Sequence, residues 1–175
     1  MPVSGRATQK QILDAIVSRL RSKIARLGDM NCHMTDQRQP IAWPPDRECV
    51  TVSVEGGRFP EPFYNGGGGS TLCESSTVAV TVWVRCNLDR IQTIEVALLE
   101  DTGIYSDWKP DILRALLISE SSGGDVIPWS PVGPDGICLL RNCLSPISCG
   151  TVVTDSTGEW LGMTLSFSAD FDWRL

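Results

Sequence analysis

Apolar positions along the chain fall into stretches of helical period and stretches of strict alternation. Leu13, Ile16, Val17, Leu20, Ile24 and Leu27 recur at helical spacing, which predicts an amphipathic helix over 8–27. Thr8 followed by Gln11 fits a capping box, and Gly28 stands where a left-handed residue would stop the helix. Val50, Val52 and Val54 alternate with Thr51, Ser53 and Glu55, the mark of a half-buried strand. In a second strand over 76–86, Val78, Val80, Val82 and Val84 share one face, and Thr77, Ala79, Thr81 and Trp83 the other.

The pattern then returns to helical. Ile91, Ile94, Glu95 and Leu98 predict a helix over 88–100, capped by Asn87 or Asp89 and broken by Gly103. Ile112, Leu113, Leu116 and Leu117 predict another, capped by Ser106 or Asp107, with Pro110 tolerated in its first turn. Short strands are expected near 138–142 and 148–154. The clearest period comes last. Leu161, Met163, Leu165, Phe167, Ala169, Phe171 and Trp173 alternate with Gly162, Thr164, Ser166, Ser168, Asp170, Asp172 and Arg174. This predicts a long strand with one buried and one wet face, its register fixed by burial.

Three stretches read as loops. Residues 29–48 are polar and carry Pro40, Pro44 and Pro45, so an irregular crossing is expected. Residues 55–71 hold six glycines and two prolines, which argues against a strand or helix, and long loops of this kind are commonly functional. Arg58, Phe59, Phe63 and Tyr64 within it can anchor the loop on a surface. Residues 119–136 are rich in Ser, Gly and Pro. The fold expected is a single α+β domain over 1–175. Its mixed, mainly antiparallel sheet contains an extended hairpin and a long C-terminal strand. An N-terminal helix and a central helical pair flank it.

Composition narrows the class. At 175 residues with 42% hydrophobic and 21% charged residues, the chain is long enough to bury a core without a metal or disulfide. No apolar run suits a membrane span or a signal peptide, so cytosolic synthesis is expected. Residues 1–27 carry Arg6, Lys10, Arg19, Arg21, Lys23 and Arg26 against Asp14 alone, net +5, which leaves −11 on the rest of a chain whose total is −6. An acidic body repels a DNA backbone, whereas the basic helix suits an acidic partner or simply faces solvent. The seven cysteines lack Cys-x-x-Cys spacing, and His33 is the one histidine. Buried thiols in a reduced compartment are expected rather than a zinc site.

Catalytic patterns are weak. Gly66-Gly-Gly-Gly-Ser-Thr71 lacks the lysine of a phosphate loop, no Gly-x-Ser-x-Gly elbow occurs, and Asp170 with Asp172 is a slender basis for a metal. No catalytic, cofactor or metal residue is assigned.

The order of elements carries more information. A basic helix precedes a strand and the segments Gly56-Gly57-Arg58-Phe59 and Gly66-Gly67-Gly68. A Val-rich strand ending in Val84-Arg85 follows, then Lys109-Pro110-Asp111-Ile112-Leu113-Arg114-Ala115-Leu116, and finally Leu165-Ser166-Phe167-Ser168-Ala169-Asp170-Phe171-Asp172-Trp173. This layout resembles the tail terminator and tail-completion proteins of long-tailed bacteriophages. The resemblance implies a virion protein assembled in the host cytoplasm, not an enzyme, with no cofactor and no membrane. It implies a homo-oligomeric ring, six-fold in known members, that caps the tail tube protein and meets the head–tail connector. Double-stranded DNA would pass through its lumen without specific binding. Arg58, Phe59, Phe63, Tyr64, Arg19, Lys23 and Arg26 are the candidate ring contacts. The long loop and the cysteine count depart from the family texture, leaving a head–tail adaptor or tube protein open. A reading of another class is a small-ligand binder or enzyme whose lid is 56–71.

Overall fold

The computed structural model describes residues 5–35, 48–59, 64–66, 69–85, 108–119, 125–154, 157 and 160–174. The architecture is α+β, as the periodicities predict. Among the described residues, two helices, α1 (Gly5–Lys23) and α2 (Trp108–Leu117), accompany six strands: β1 (Cys32–Met34), β2 (Cys49–Arg58), β3 (Tyr64–Gly66), β4 (Gly69–Arg85), β5 (Ser145–Thr154) and β6 (Trp160–Arg174). The sheet order is β1-β2-β4-β6-β5, with β3 paired on β4. β1 runs parallel to β2 and every other pairing is antiparallel. The predicted hairpin is the β2–β4 pair. The spine is β4–β6, in register from Thr71↔Arg174 to Arg85↔Trp160.

The core lies between the helices and one face of this sheet. Ile12, Ile16, Leu20 and Ile24 of the α1 segment and Ile112 and Leu116 of α2 pack on Val50, Val52, Val80, Val82, Leu165 and Phe167. Burying each such aliphatic or aromatic side chain contributes about 1.5–3 kcal/mol.

Several expectations are corrected. α1 starts at Gly5, so Thr8 is a buried residue inside the helix and not its cap. The helix ends at Lys23, and Gly28 does not take a positive φ. The Asn31 side chain closes this end instead: Oδ1 accepts from Gly28 N at 2.8 Å, and Nδ2 donates to Arg26 O and Glu48 O. The crossing expected over 29–48 contains β1, whose register with β2 the short polar segment does not reveal. No strand forms over 138–142, which holds only the Val132↔Cys138 bridge followed by bends.

The loop expected at 56–71 is largely strand. β2 continues to Arg58, β4 begins at Gly69, and β3 pairs with it. The glycines make this possible. The β2–β4 register skips between Val54 and Gly57, and Gly56 sits in the skip at φ 83°. A bulge with glycine in the left-handed region bends a strand without ending it.

The face of β6 expected to be wet is also largely buried, at Gly162, Thr164 and Ser166. A second apolar cluster of Cys49, Trp83 and Trp160 covers that side of the sheet. Its hydroxyls satisfy one another: Thr81 and Thr164 meet at 2.9 Å, and Trp83 Nε1 donates to Thr51 Oγ1 at 2.8 Å. Buried polar groups paired in this way cost little. The helix expected over 88–100, the caps Ser106 and Asp107, and Phe63 lie outside the described residues.

Candidate functional site

Opposite ends of α1 present different chemistry. Its start reaches the far end of the sheet, where Gln9 Nε2 donates to Glu74 Oε1 at 3.0 Å. Its other end adjoins the start of β2, where Val50 N donates to Asn31 O at 2.7 Å. α1 thus runs antiparallel to β2, and its 19 residues separate the two ends by about 28 Å at 1.5 Å per residue.

At the near end, α1 and α2 border an open groove of about 750 Å³. Arg19, Lys23, Arg26 and Arg114 line it against one carboxylate, Asp111, while Ile24, Ala25, Ala115 and Ile118 supply apolar surface. Two of these cations tie the helices together. Arg19 donates through Nε to Ala115 O at 3.0 Å and through Nη2 to Ile118 O at 2.9 Å, satisfying carbonyls at the end of α2. Its guanidinium also lies 5.4 Å from the Trp129 ring. Arg26 stacks 3.8 Å from the Trp108 ring, and its Nη2 pairs with Asp111 at 3.0 Å. Trp108 in turn donates to Glu48 at 3.0 Å. Lys23 and Arg114 are exposed at the rim. The fold therefore gathers three predicted contact residues, Arg19, Lys23 and Arg26, and adds Arg114. Sequence reading missed Arg114 because only the packing of α2 against α1 brings it there.

Arg58 and Phe59 sit at the far end, apart from the basic groove. Both are exposed, Phe59 at 53%. Tyr64 lies in β3 opposite Thr71. Glu74 is buried here and holds three elements: Gln9 and Ser76 donate to Oε1, and Trp173 Nε1 donates to Oε2 at 2.5 Å. Arg141 pairs with Asp172 at 2.6 Å. Charges of both signs meet at this end: Glu55 and Arg58 are exposed, Asp172 is held by Arg141, and Lys10, next to Gln9, pairs with Asp14.

A third feature lies between α2 and β6. Val126, Ile127, Val132, Ile137 and Ile147 are 50–66% exposed. They are held in place rather than trailing. Ser119 N donates to Ile127 O, Trp129 N to Leu117 O, and Gly133 N to Ile137 O. Ile147 falls in a register skip of β5, the edge strand of the described sheet.

Nucleophilic chemistry finds little support. Cys32 faces the core, and burial pushes its thiol up to about 11, against the pull of the Arg21 guanidinium. A thiol held protonated is inert. His33 follows it in β1, where successive side chains point to opposite faces. Cys49 and Cys73 are likewise buried and unbridged. Among the described residues, no cluster of three His, Cys, Asp or Glu side chains could hold a metal. No described helix is long and apolar enough to cross a membrane.

No protein-family model matches the chain, and no curated protein matches it. Among solved structures it is similar to a chain of the "Virion of native gene transfer agent (GTA) particle", at 13% identity and a TM-score of 0.44, over 95% of this chain and 98% of that one.

Proposed function

We propose that this chain is a structural protein of a phage-like virion, and that it forms the ring completing the tail at its junction with the head-side connector. The observation that carries the proposal is the set of five apolar side chains over 126–147 exposed among the described residues, the last of them in β5, the edge strand of the described sheet. Side chains fixed in place and left apolar mark a surface that another chain covers. The layout of elements, which resembles tail-completion proteins, supplies the kind of assembly. Its partners are then further copies of itself, the tail tube protein and the connector. The acidic body suits a conduit, because like charge limits sticking of DNA passing through the lumen.

Electron microscopy of particles, with this chain labelled, tests the proposal. A single ring at the head-proximal end of the tail is the expected result. Labelling repeated along the tube would make it the tube protein, and labelling inside the head-side connector an adaptor. Absence from purified particles would overturn the virion assignment. Ile137→Asp combined with Ile147→Asp should leave the subunit folded and abolish ring formation.

A further inference from the structure

We infer that the α1–α2 groove binds an acidic amphipathic helix of a partner protein, with carboxylates on the rim and apolar side chains against the floor. The site uses other residues than the apolar set over 126–147. It goes beyond the virion reading and does not depend on it.

The charge of the groove is one-sided. Among the described residues, its lining carries Arg19, Lys23, Arg26 and Arg114 against Asp111 alone. Arg26 meets that carboxylate at 3.0 Å. Arg19 donates through Nε and Nη2 to the carbonyls of Ala115 and Ile118, which are neutral, so its positive charge is not cancelled there. Arg114 is exposed and enters no ion pair with the described residues. Two of the guanidiniums are also held in place, Arg19 at 5.4 Å from the Trp129 ring and Arg26 at 3.8 Å from the Trp108 ring. Cations that are already ordered lose little side-chain freedom when an anion arrives.

The form of the groove selects the kind of anion. Its floor is apolar, with Ile24 and Ala115 buried and Ala25 and Ile118 beside them. A free phosphate gains nothing from such a floor, whereas an amphipathic helix lays its apolar face into it. Arg19 and Lys23 stand four residues apart on α1, about 6 Å by helix rise. Carboxylates one turn apart on an incoming helix share that spacing. A nucleic-acid backbone suits the site less well. It needs many phosphate contacts, and outside residues 1–27 this chain carries net −11.

Asp111 is then the groove's own competitor for the incoming carboxylates, and this makes the test specific. Fluorescence anisotropy with the full chain follows three probes: a labelled peptide of Glu and Leu in a helical repeat, its Gln counterpart, and a short double-stranded DNA. The Glu peptide should bind, more weakly as salt rises, and about tenfold or more tightly than the Gln peptide. Arg114→Glu should weaken binding about tenfold, whereas Arg58→Glu, at an exposed cation beyond the other end of α1, should leave it unchanged. Asp111→Asn should tighten binding, which a purely structural Arg26–Asp111 pair would not do. Asp111 is half-exposed and the two arginines are exposed, and circular dichroism verifies folding of each variant. A wild type that leaves the Glu peptide free, or a Gln peptide bound as tightly, overturns the site. So does an Arg114→Glu loss no greater than that of Arg58→Glu, or an Asp111→Asn variant that fails to bind more tightly. DNA held more tightly than the Glu peptide and released by Arg114→Glu would make this a nucleic-acid groove and overturn the peptide assignment.

Discussion

The ring of Trp83 lies directly on Gly162, its partner across the β4–β6 ladder. A Cβ built at 162 would sit 2.9 Å from Trp83 Cε3 and Cζ3 and 2.8 Å from Thr81 Cγ2. The indole cannot retreat freely, because Nε1 is bonded to Thr51 Oγ1. Gly162→Ala should therefore destabilise the fold by about 1–3 kcal/mol, the usual cost of overpacking. Gly28→Ala is the control. Nothing lies within 4 Å of its added Cβ and its φ is not positive, so unfolding in urea should show no loss of stability there.

Glu74 and Gly57 form a second close approach. A Cβ at 57 would fall 2.0 Å from Glu74 Oε1 and 2.8 Å from Ser76 Oγ. Oε1 is held by Gln9 and Ser76, so moving it breaks bonds that satisfy a buried carboxylate. Gly57→Ala should cost about 1–3 kcal/mol in the wild type. It should cost less in a Glu74→Ala background, giving a coupling of about 0.5–3 kcal/mol. Strictly additive denaturation energies would show that the two positions do not meet.

The terminal strand offers a direct comparison of its faces. Phe167 is fully buried in the main core, whereas Ser168 is half-buried and bonded to Ser75. Phe167→Ala should cost about 3–5 kcal/mol. For a chain of this length that lowers Tm by roughly 6–20 °C. Ser168→Ala should move it far less, and equal shifts in a calorimetric scan would refute the register.

How far these elements were legible in the sequence depended on whether their cause was local. The apolar stripe of α1, the stripe of α2 and the alternation of β6 are local patterns, and each became the element it predicts. The true start of α1 was hidden, because Thr8 and Gln11 imitate a cap from inside the helix. The strands through Gly56-Gly57 and from Gly69 were hidden because glycine weakens a strand on its own, while a bulge with pairing to β4 holds the first and pairing to β3 holds the second. Burial on the polar face of β6 depends on β4, where Trp83 lies on Gly162 and Thr81 meets Thr164. The groove was half legible. The basic face of α1 is plain in the sequence, but Trp108, Asp111 and Arg114 reach it only through the packing of α2.

Cys32 makes the stability depend on alkaline pH. Burial raises its thiol from the ordinary 9.0 to about 11, and the nearby Arg21 only partly offsets this. Between those values the unfolded chain releases a proton that the native chain keeps, so the native state binds more protons and stability falls as pH rises. The contribution is complete below pH 9 and is lost as pH climbs through about 11. Two units correspond to about 3 kcal/mol. Urea unfolding of the wild type and of Cys32→Ala should therefore converge in stability across this window. The variant keeps the backbone carbonyl that accepts from Arg21, so the difference isolates the thiol. Arg21→Ala should push the thiol higher still, read as a later rise in thiolate absorbance. Parallel pH curves for wild type and Cys32→Ala would show that the thiol ionises as readily in the native state as in the unfolded chain.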